Sequence, residues 1–142
     1  MKKYRIGYAS GVYDLLHVGH LNLLERCKKY CDYLIVGVNN DNYVRQIKKV
    51  SPIISEVDRL KIISALKVVD EAYIIDIPEI LDKKLAWDKF KFDCLFVGDD
   101  WNGTDRYIKA EKDLGELNVK IEYLPYTKEV STSLLKEKLS KK

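Results

Sequence analysis

Cysteine, histidine and net charge are all scarce in this chain of 142 residues, and each scarcity removes a class of function. The three cysteines, Cys27, Cys31 and Cys94, are an odd number, and with no export signal ahead of them they are not expected to build a disulfide framework. Cys27 and Cys31 could share a helix face, but two thiols with no histidine or third cysteine nearby make a poor zinc site, so packing is the role expected of them. Lysine and arginine number 25 against 22 acidic residues, a net charge of +3 spread along the chain. That balance gives no strong field for nucleic acid or a membrane surface, and any anion must be bound locally. The longest apolar runs, residues 33–38 and 94–97, fall far short of the roughly 20 residues that cross a bilayer. Met1-Lys2-Lys3 leads directly into a strand-like run without the apolar segment of a signal peptide, so a cytoplasmic location is expected.

What remains is a patterned chain long enough for one sizeable core and too short for two ordinary domains, so residues 1–142 read as a single domain. Residues 4–8 and 33–38 are short β-rich runs, and between them Leu21, Leu24 and Cys27 recur at helical steps. The rhythm continues with helices near 41–47 and 56–66 and a strand at 72–75. A helical or irregular stretch follows at 79–85, then a strand at 94–97, a helix from about 104 to 117, a strand at 120–124 and a last helix from Thr132. Five strands alternating with helices predict an α/β, Rossmann-like three-layer sandwich with a five-stranded parallel sheet, because parallel neighbours need a crossover that is usually a right-handed helix. Residues 48–55 have no clean period and read as a loop. In such a sheet ligands bind beyond the carboxyl ends of the strands, which directs attention to the segments after Tyr8, Val38, Val97 and Leu124.

The first of these segments carries the only two histidines of the chain, in Gly11-Val12-Tyr13-Asp14-Leu15-Leu16-His17-Val18-Gly19-His20. A helix that opens here offers unpaired N–H groups and the positive end of its dipole, and Gly19 lets a ligand approach the backbone, so the segment reads as a phosphate pocket bearing two imidazoles. A zinc site is the rival reading, with Asp14 as the one third ligand within the loop.

The string Gly-x-x-Asp-x-x-His-x-Gly-His resembles the signature loop of the cytidylyltransferase family, within the nucleotidyltransferases that carry a His-x-Gly-His motif. Val69-Asp70-Glu71, Gly98-Asp99-Asp100-Trp101 and Ser131-Thr132-Ser133 are similar to three further motifs of the branch that acts on glycerol 3-phosphate, and they fall in the same order. The resemblance implies a reaction in which the phosphate of a small acceptor attacks the α-phosphorus of CTP in line and magnesium pyrophosphate leaves. Such a site needs positioning and charge stabilisation rather than covalent work by the protein.

The same resemblance implies residue roles. His17 and His20 donate hydrogen bonds to the triphosphate and the transition state. Lys49 is the third catalytic candidate: it precedes Arg59 as the family's catalytic lysine precedes an arginine in the choline-phosphate branch, with Lys48 the adjacent alternative. Ser10, Gly11, Val12, Tyr13, Gly19, Gly98, Asp99 and Asp100 are expected at the nucleotide, with Thr127, Val130, Ser131 and Thr132 from the closing segment. Asp14, Asp41, Arg59, Lys67, Asp70 and Trp101 are expected at the acceptor. Asp14 and Asp41 could equally hold magnesium or form turns. Tyr126 stands where the family has an arginine, Glu129 where it has a glycine, and Lys67 where the glycerol-3-phosphate branch has an arginine. Those changes bear on the acceptor more than on the reaction, because arginine's planar fork to phosphate is not copied by lysine and is lacking in tyrosine. The implied partners are CTP, a small phosphorylated metabolite, Mg2+ and a second copy of the chain in a homodimer, with neither nucleic acid nor membrane. Phosphocholine, phosphoethanolamine, adenylyl transfer to a sugar phosphate or flavin, and non-catalytic nucleotide binding remain as alternatives.

Overall fold

A computed structural model describes residues 2–125 and 137–139. In the described chain β1 (Tyr4–Gly11), β2 (Cys31–Asn39), β3 (Glu71–Ile75), β4 (Cys94–Gly98) and β5 (Lys120–Leu124) form one parallel sheet in the order β3-β2-β1-β4-β5. The chain winds outward from β1 on one side and then crosses to the other, so the winding reverses between β1 and β4. That is the position at which an open α/β sheet leaves a crevice over its carboxyl edge.

The strands are apolar on both faces because each face is covered. Ala9, Leu34, Val36, Val38 and Phe96 point toward α1 (Val18–Tyr30) and α3 (Glu56–Ser64), where they meet Leu24, Cys27 and Ile63. Tyr8, Ile35, Leu95 and Val97, the alternate residues of the same strands, point toward α5 (Lys83–Phe90) and α6 (Asp105–Gly115) and meet Ala86, Tyr107, Ala110 and Leu114. The short helices α2 (Asp41–Gln46) and α4 (Ile77–Leu81) close the β2–β3 side through Tyr43, Val44 and Ile80. Cys27, Cys31 and Cys94 are free thiols in the α1–α3 core, and burial raises the pKa of each. Gly7 and Gly37 lie where a side chain has no room: a Cβ would run into the Phe96 ring at the first and the Tyr8 hydroxyl at the second.

Element boundaries differ from expectation at informative places. β1 continues to Gly11 and so delivers the loop that follows it directly to the sheet's upper edge. The irregular stretch at 79–85 is two helices separated by Asp82, which ends α4 and accepts the Lys84 N–H at the start of α5. The helix from Thr132 lies outside the described residues, apart from a helical turn at 137–139.

Candidate active site

Two of the six residues that carry the chain from β1 into α1, Tyr13 and Leu15, have left-handed φ angles of 57° and 51°. Non-glycine residues seldom adopt this conformation without outside support. Support comes from Asp14, whose two carboxylate oxygens accept the N–H groups of Ile53 and Ile54 at 2.8 and 2.9 Å. Arg59 adds the second clasp. Its guanidinium donates to the carbonyls of Ile54, Val12 and Asn39 at 2.9, 2.6 and 2.7 Å, and to Asp41 Oδ1 at 2.6 Å. With 1 % of its surface exposed, Arg59 ties together the β1 loop, the end of β2, α2 and the segment before α3. Arginine suits this duty because its planar fork satisfies several acceptors at once.

The loop so held ends in an N-cap made of imidazoles. His17 caps α1, its Nδ1 accepting the Gly19 N–H at 3.0 Å, and His20 Nδ1 accepts the His17 N–H at 3.2 Å. A neutral imidazole that accepts at Nδ1 carries its proton on Nε2, so the caps fix the same tautomer in both rings. The rings stack with centroids 4.0 Å apart. Burial lowers the pKa of both; for His20, burial with His17 beside it outweighs the opposing pull of Asp14 and brings the value down to about 4. Both are therefore neutral Nε2–H donors at physiological pH. No acidic side chain occupies the first turn of α1, so the positive end of its dipole stands unneutralised beside them.

These donors line a cleft of about 800 Å³ over the carboxyl edge of β1 and β4. Ser10, Gly11, Val12, Tyr13 and Asp14 line it from the β1 side, and Gly98, Asp100 and Trp101 from the end of β4. His17 Nε2 and Asn39 Oδ1 are buried without a hydrogen-bond partner among the described residues, a donor and an acceptor in the lining of one cavity. Buried polar atoms are rarely left so, and two in one cleft point to a polar ligand.

Other expected residues fall elsewhere. Lys67 and Asp70, expected at the acceptor, do not line the cleft. Both precede β3 at the opposite, amino edge of the sheet, where Asp70 accepts the Leu34 N–H at 2.7 Å and pairs with Lys28. Arg59 and Asp41 are spent on each other and on backbone groups rather than offered to a ligand, and neither lines the cleft. Lys49 turns the chain after α2 with φ 62°, and its neighbours Lys48 and Val50, rather than Lys49 itself, reach the cleft wall. Gly19 and Asp99 flank lining residues without lining the cavity, and Thr127, Val130, Ser131 and Thr132 lie outside the described residues. No cluster of three or more metal-ligating side chains occurs among the described residues, which leaves the zinc reading without a third ligand there. Sequence reasoning missed Lys83, Arg106 and Tyr43 in the lining. A signal for Lys83 existed: it stands three, four and seven residues before Ala86, Trp87 and Phe90, on the apolar stripe of its helix.

The imidazole pair thus stands at a helix amino terminus, in a cleft at the reversal point of a parallel sheet. The chain belongs to the cytidylyltransferase-like family, whose profile matches residues 8–138. It is 37 % identical over 125 residues to the FAD synthase of Thermococcus onnurineus, covering 88 % of this chain and 81 % of that one. With the glycerol-3-phosphate cytidylyltransferase of Bacillus subtilis it shares 33 % identity over 130 residues, 92 % and 93 % of the two chains. Among solved structures, the lipopolysaccharide core biosynthesis protein of Thermoplasma volcanium is similar over 87 % of this chain and 97 % of its own, with a TM-score of 0.70 at 28 % identity.

Proposed function

We propose that the protein transfers CMP from CTP to the phosphate of a small phosphorylated alcohol, glycerol 3-phosphate before others, and releases pyrophosphate. The observation that carries this is the pair of neutral imidazoles whose tautomers are fixed by their own caps, so that both present Nε2–H at the amino end of α1. Donors held in place before the reaction stabilise charge as it develops on the phosphorus oxygens, without reorganisation at the moment of transfer. Neither ring needs to take a proton, since a phosphate nucleophile arrives already ionised. The loop that holds them is fixed by Asp14 and Arg59, which act as positioning residues. CTP and glycerol 3-phosphate are favoured by the Gly98-Asp99-Asp100-Trp101 segment at the end of β4 and by a likeness to the Bacillus subtilis enzyme that runs nearly the full length of both chains.

Magnesium enters this reading with the nucleotide. Both oxygens of Asp14 accept backbone N–H groups and Asp41 is paired with Arg59, so the residues present fit a cation bound chiefly through substrate phosphates. Bound there, it would supply charge neutralisation of the leaving pyrophosphate. A cytoplasmic homodimer completes the reading.

Adenylyl transfer to a flavin or sugar phosphate is the second reading, favoured by the identity shared with the FAD synthase of Thermococcus onnurineus. Pyrophosphate release measured for CTP, ATP, GTP and UTP, each against glycerol 3-phosphate, phosphocholine, phosphoethanolamine, a hexose phosphate and FMN, separates the two. Turnover with CTP and glycerol 3-phosphate is expected; turnover with ATP alone would replace the first reading by the second.

A further inference from the structure

Asn39 closes β2 on the face turned away from the imidazoles. Val38 packs in the α1 core, so the residue after it in the strand faces the other layer. In register Asn39 pairs with Ile75, whose apolar cluster holds Tyr43, Val44 and Ile80, with Val12 packed against it. The main chain here is satisfied, since the Asn39 carbonyl accepts Arg59 Nη1 at 2.7 Å. The side chain is not. Asn39 is 6 % exposed and lines the cleft, and its Oδ1 is enclosed without a hydrogen-bond partner among the described residues. An unpaired buried acceptor weakens the fold, so its place in a wall of Val12, Val44 and Ile80 calls for a donor brought by a ligand.

A carboxamide oxygen accepts, so its partner is a hydroxyl or an N–H, and an ionised phosphate oxygen is excluded. Two parts of the substrates carry such donors, the nucleoside and the alcohol end of the acceptor. The segment given to the nucleotide, Gly98-Asp99-Asp100-Trp101, lies at the end of β4, and β1 stands between β4 and β2, so Asn39 is about 10 Å to the other side. The charges lining the cavity choose among acceptors. Lys83 and Arg106 make it positive, and of the two carboxylates in the lining, Asp14 has both oxygens on the Ile53 and Ile54 N–H groups. A choline or ethanolamine headgroup is repelled there, and a trimethylammonium has no donor for Oδ1; a neutral hydroxyl meets neither objection. We propose that Asn39 is a specificity-determining residue whose Oδ1 accepts the acceptor's hydroxyl on the carbon next to the phosphate-bearing one, while Val12, Val44 and Ile80 pack on the carbon skeleton. This rests on the transferase reading above and confines the acceptor to phosphorylated polyols. Glycerol 3-phosphate carries such a hydroxyl, and so does the ribityl phosphate of FMN; phosphocholine and phosphoethanolamine carry none.

The test compares wild type with Asn39→Leu on pairs of acceptors that differ by that one hydroxyl. With CTP the pair is glycerol 3-phosphate and propane-1,3-diol monophosphate; with ATP it is FMN and its analogue deoxygenated at the ribityl carbon beside the phosphate-bearing one. Wild type is expected to favour the hydroxylated member in kcat/KM by roughly tenfold or more, with whichever nucleotide it uses. Asn39→Leu should bring the two members of the pair level while the KM for the nucleotide stays within twofold. Thermal denaturation should show Tm unchanged or higher, because the unpaired acceptor is gone; if Asn39→Leu does not fold, the same ratio is read in Asn39→Ala. A ratio that the substitution does not move, a nucleotide KM that rises with the acceptor KM, or wild-type turnover of phosphocholine or phosphoethanolamine equal to that of glycerol 3-phosphate would each overturn the assignment. Silence of the wild type with every nucleotide and acceptor would sink the transferase reading instead. Asn39 is then judged by calorimetry with glycerol 3-phosphate and propane-1,3-diol monophosphate: tighter binding of the first that Asn39→Leu abolishes supports it, and equal binding or none overturns it.

Discussion

Replacing His17 by asparagine separates the two jobs that the structure gives this one ring. Nδ1 caps α1 by accepting the Gly19 N–H, and Nε2 is the buried donor facing the cleft. Asparagine is among the best N-caps, so His17→Asn keeps an acceptor for the first turn, but its amide ends short of the position of Nε2. Loss of one preorganised donor aimed at developing charge costs about 2.7–4 kcal/mol of barrier, a fall of roughly 10²–10³ in kcat. Loss of the cap costs about 1 kcal/mol of stability and belongs to His17→Ala alone. Coupled-assay pyrophosphate release with CTP and glycerol 3-phosphate, together with urea unfolding, reads both quantities. Expected are equal falls in kcat for His17→Asn and His17→Ala, with stability near wild type in the first and about 1 kcal/mol lower in the second. A kcat for His17→Asn within a few-fold of wild type would show that Nε2–H is not used and refute the reasoning.

Arg59→Leu should lose about 3–5 kcal/mol of stability in chemical unfolding, because it leaves Asp41 without its partner and three carbonyls unbonded beneath the site; a loss under 1 kcal/mol would remove Arg59 from the loop's support. Alanine at Lys48 should lower kcat/KM at least tenfold and alanine at Lys49 less than threefold, since Lys48 is the one at the cleft wall; the reverse order would return the catalytic role to Lys49. The folded state favours neutral imidazoles, so the stability they confer is complete above pH 6.5 and is lost as the pH falls toward 4. His20 alone should account for about 3 kcal/mol of that loss, and His20→Phe should flatten the stability–pH curve in this window.

Much of the fold was legible because its signals are local. β5 falls on residues 120–124, where charged and apolar residues alternate at its start, and the parallel pairing of five strands follows from their alternation with helices. The imidazole pair was legible for the same reason: a helix start is written in the few residues that cap it. β1 extends further than read because Ala9, Ser10 and Gly11 are poor strand formers held extended by pairing with β2 and β4. The clasp that Arg59 makes was not legible because its partners, Val12, Asn39 and Ile54, converge from segments distant in the sequence. An arginine that grips phosphate and one that grips carbonyls look alike in sequence. Lys83 escaped notice in Asp82-Lys83-Lys84, a polar run that reads as solvated until the helical stripe through Ala86 and Phe90 is traced.

With only two histidines in the chain, nitrogen-15 NMR of the imidazole side chains reads the central claim without assignment ambiguity. The account predicts both rings neutral at about pH 7.5 and protonated on Nε2, with both Nε2–H resonances shifting when magnesium and CTP are added. Imidazolium signals at that pH, protons on Nδ1, or resonances unmoved by saturating CTP would contradict it.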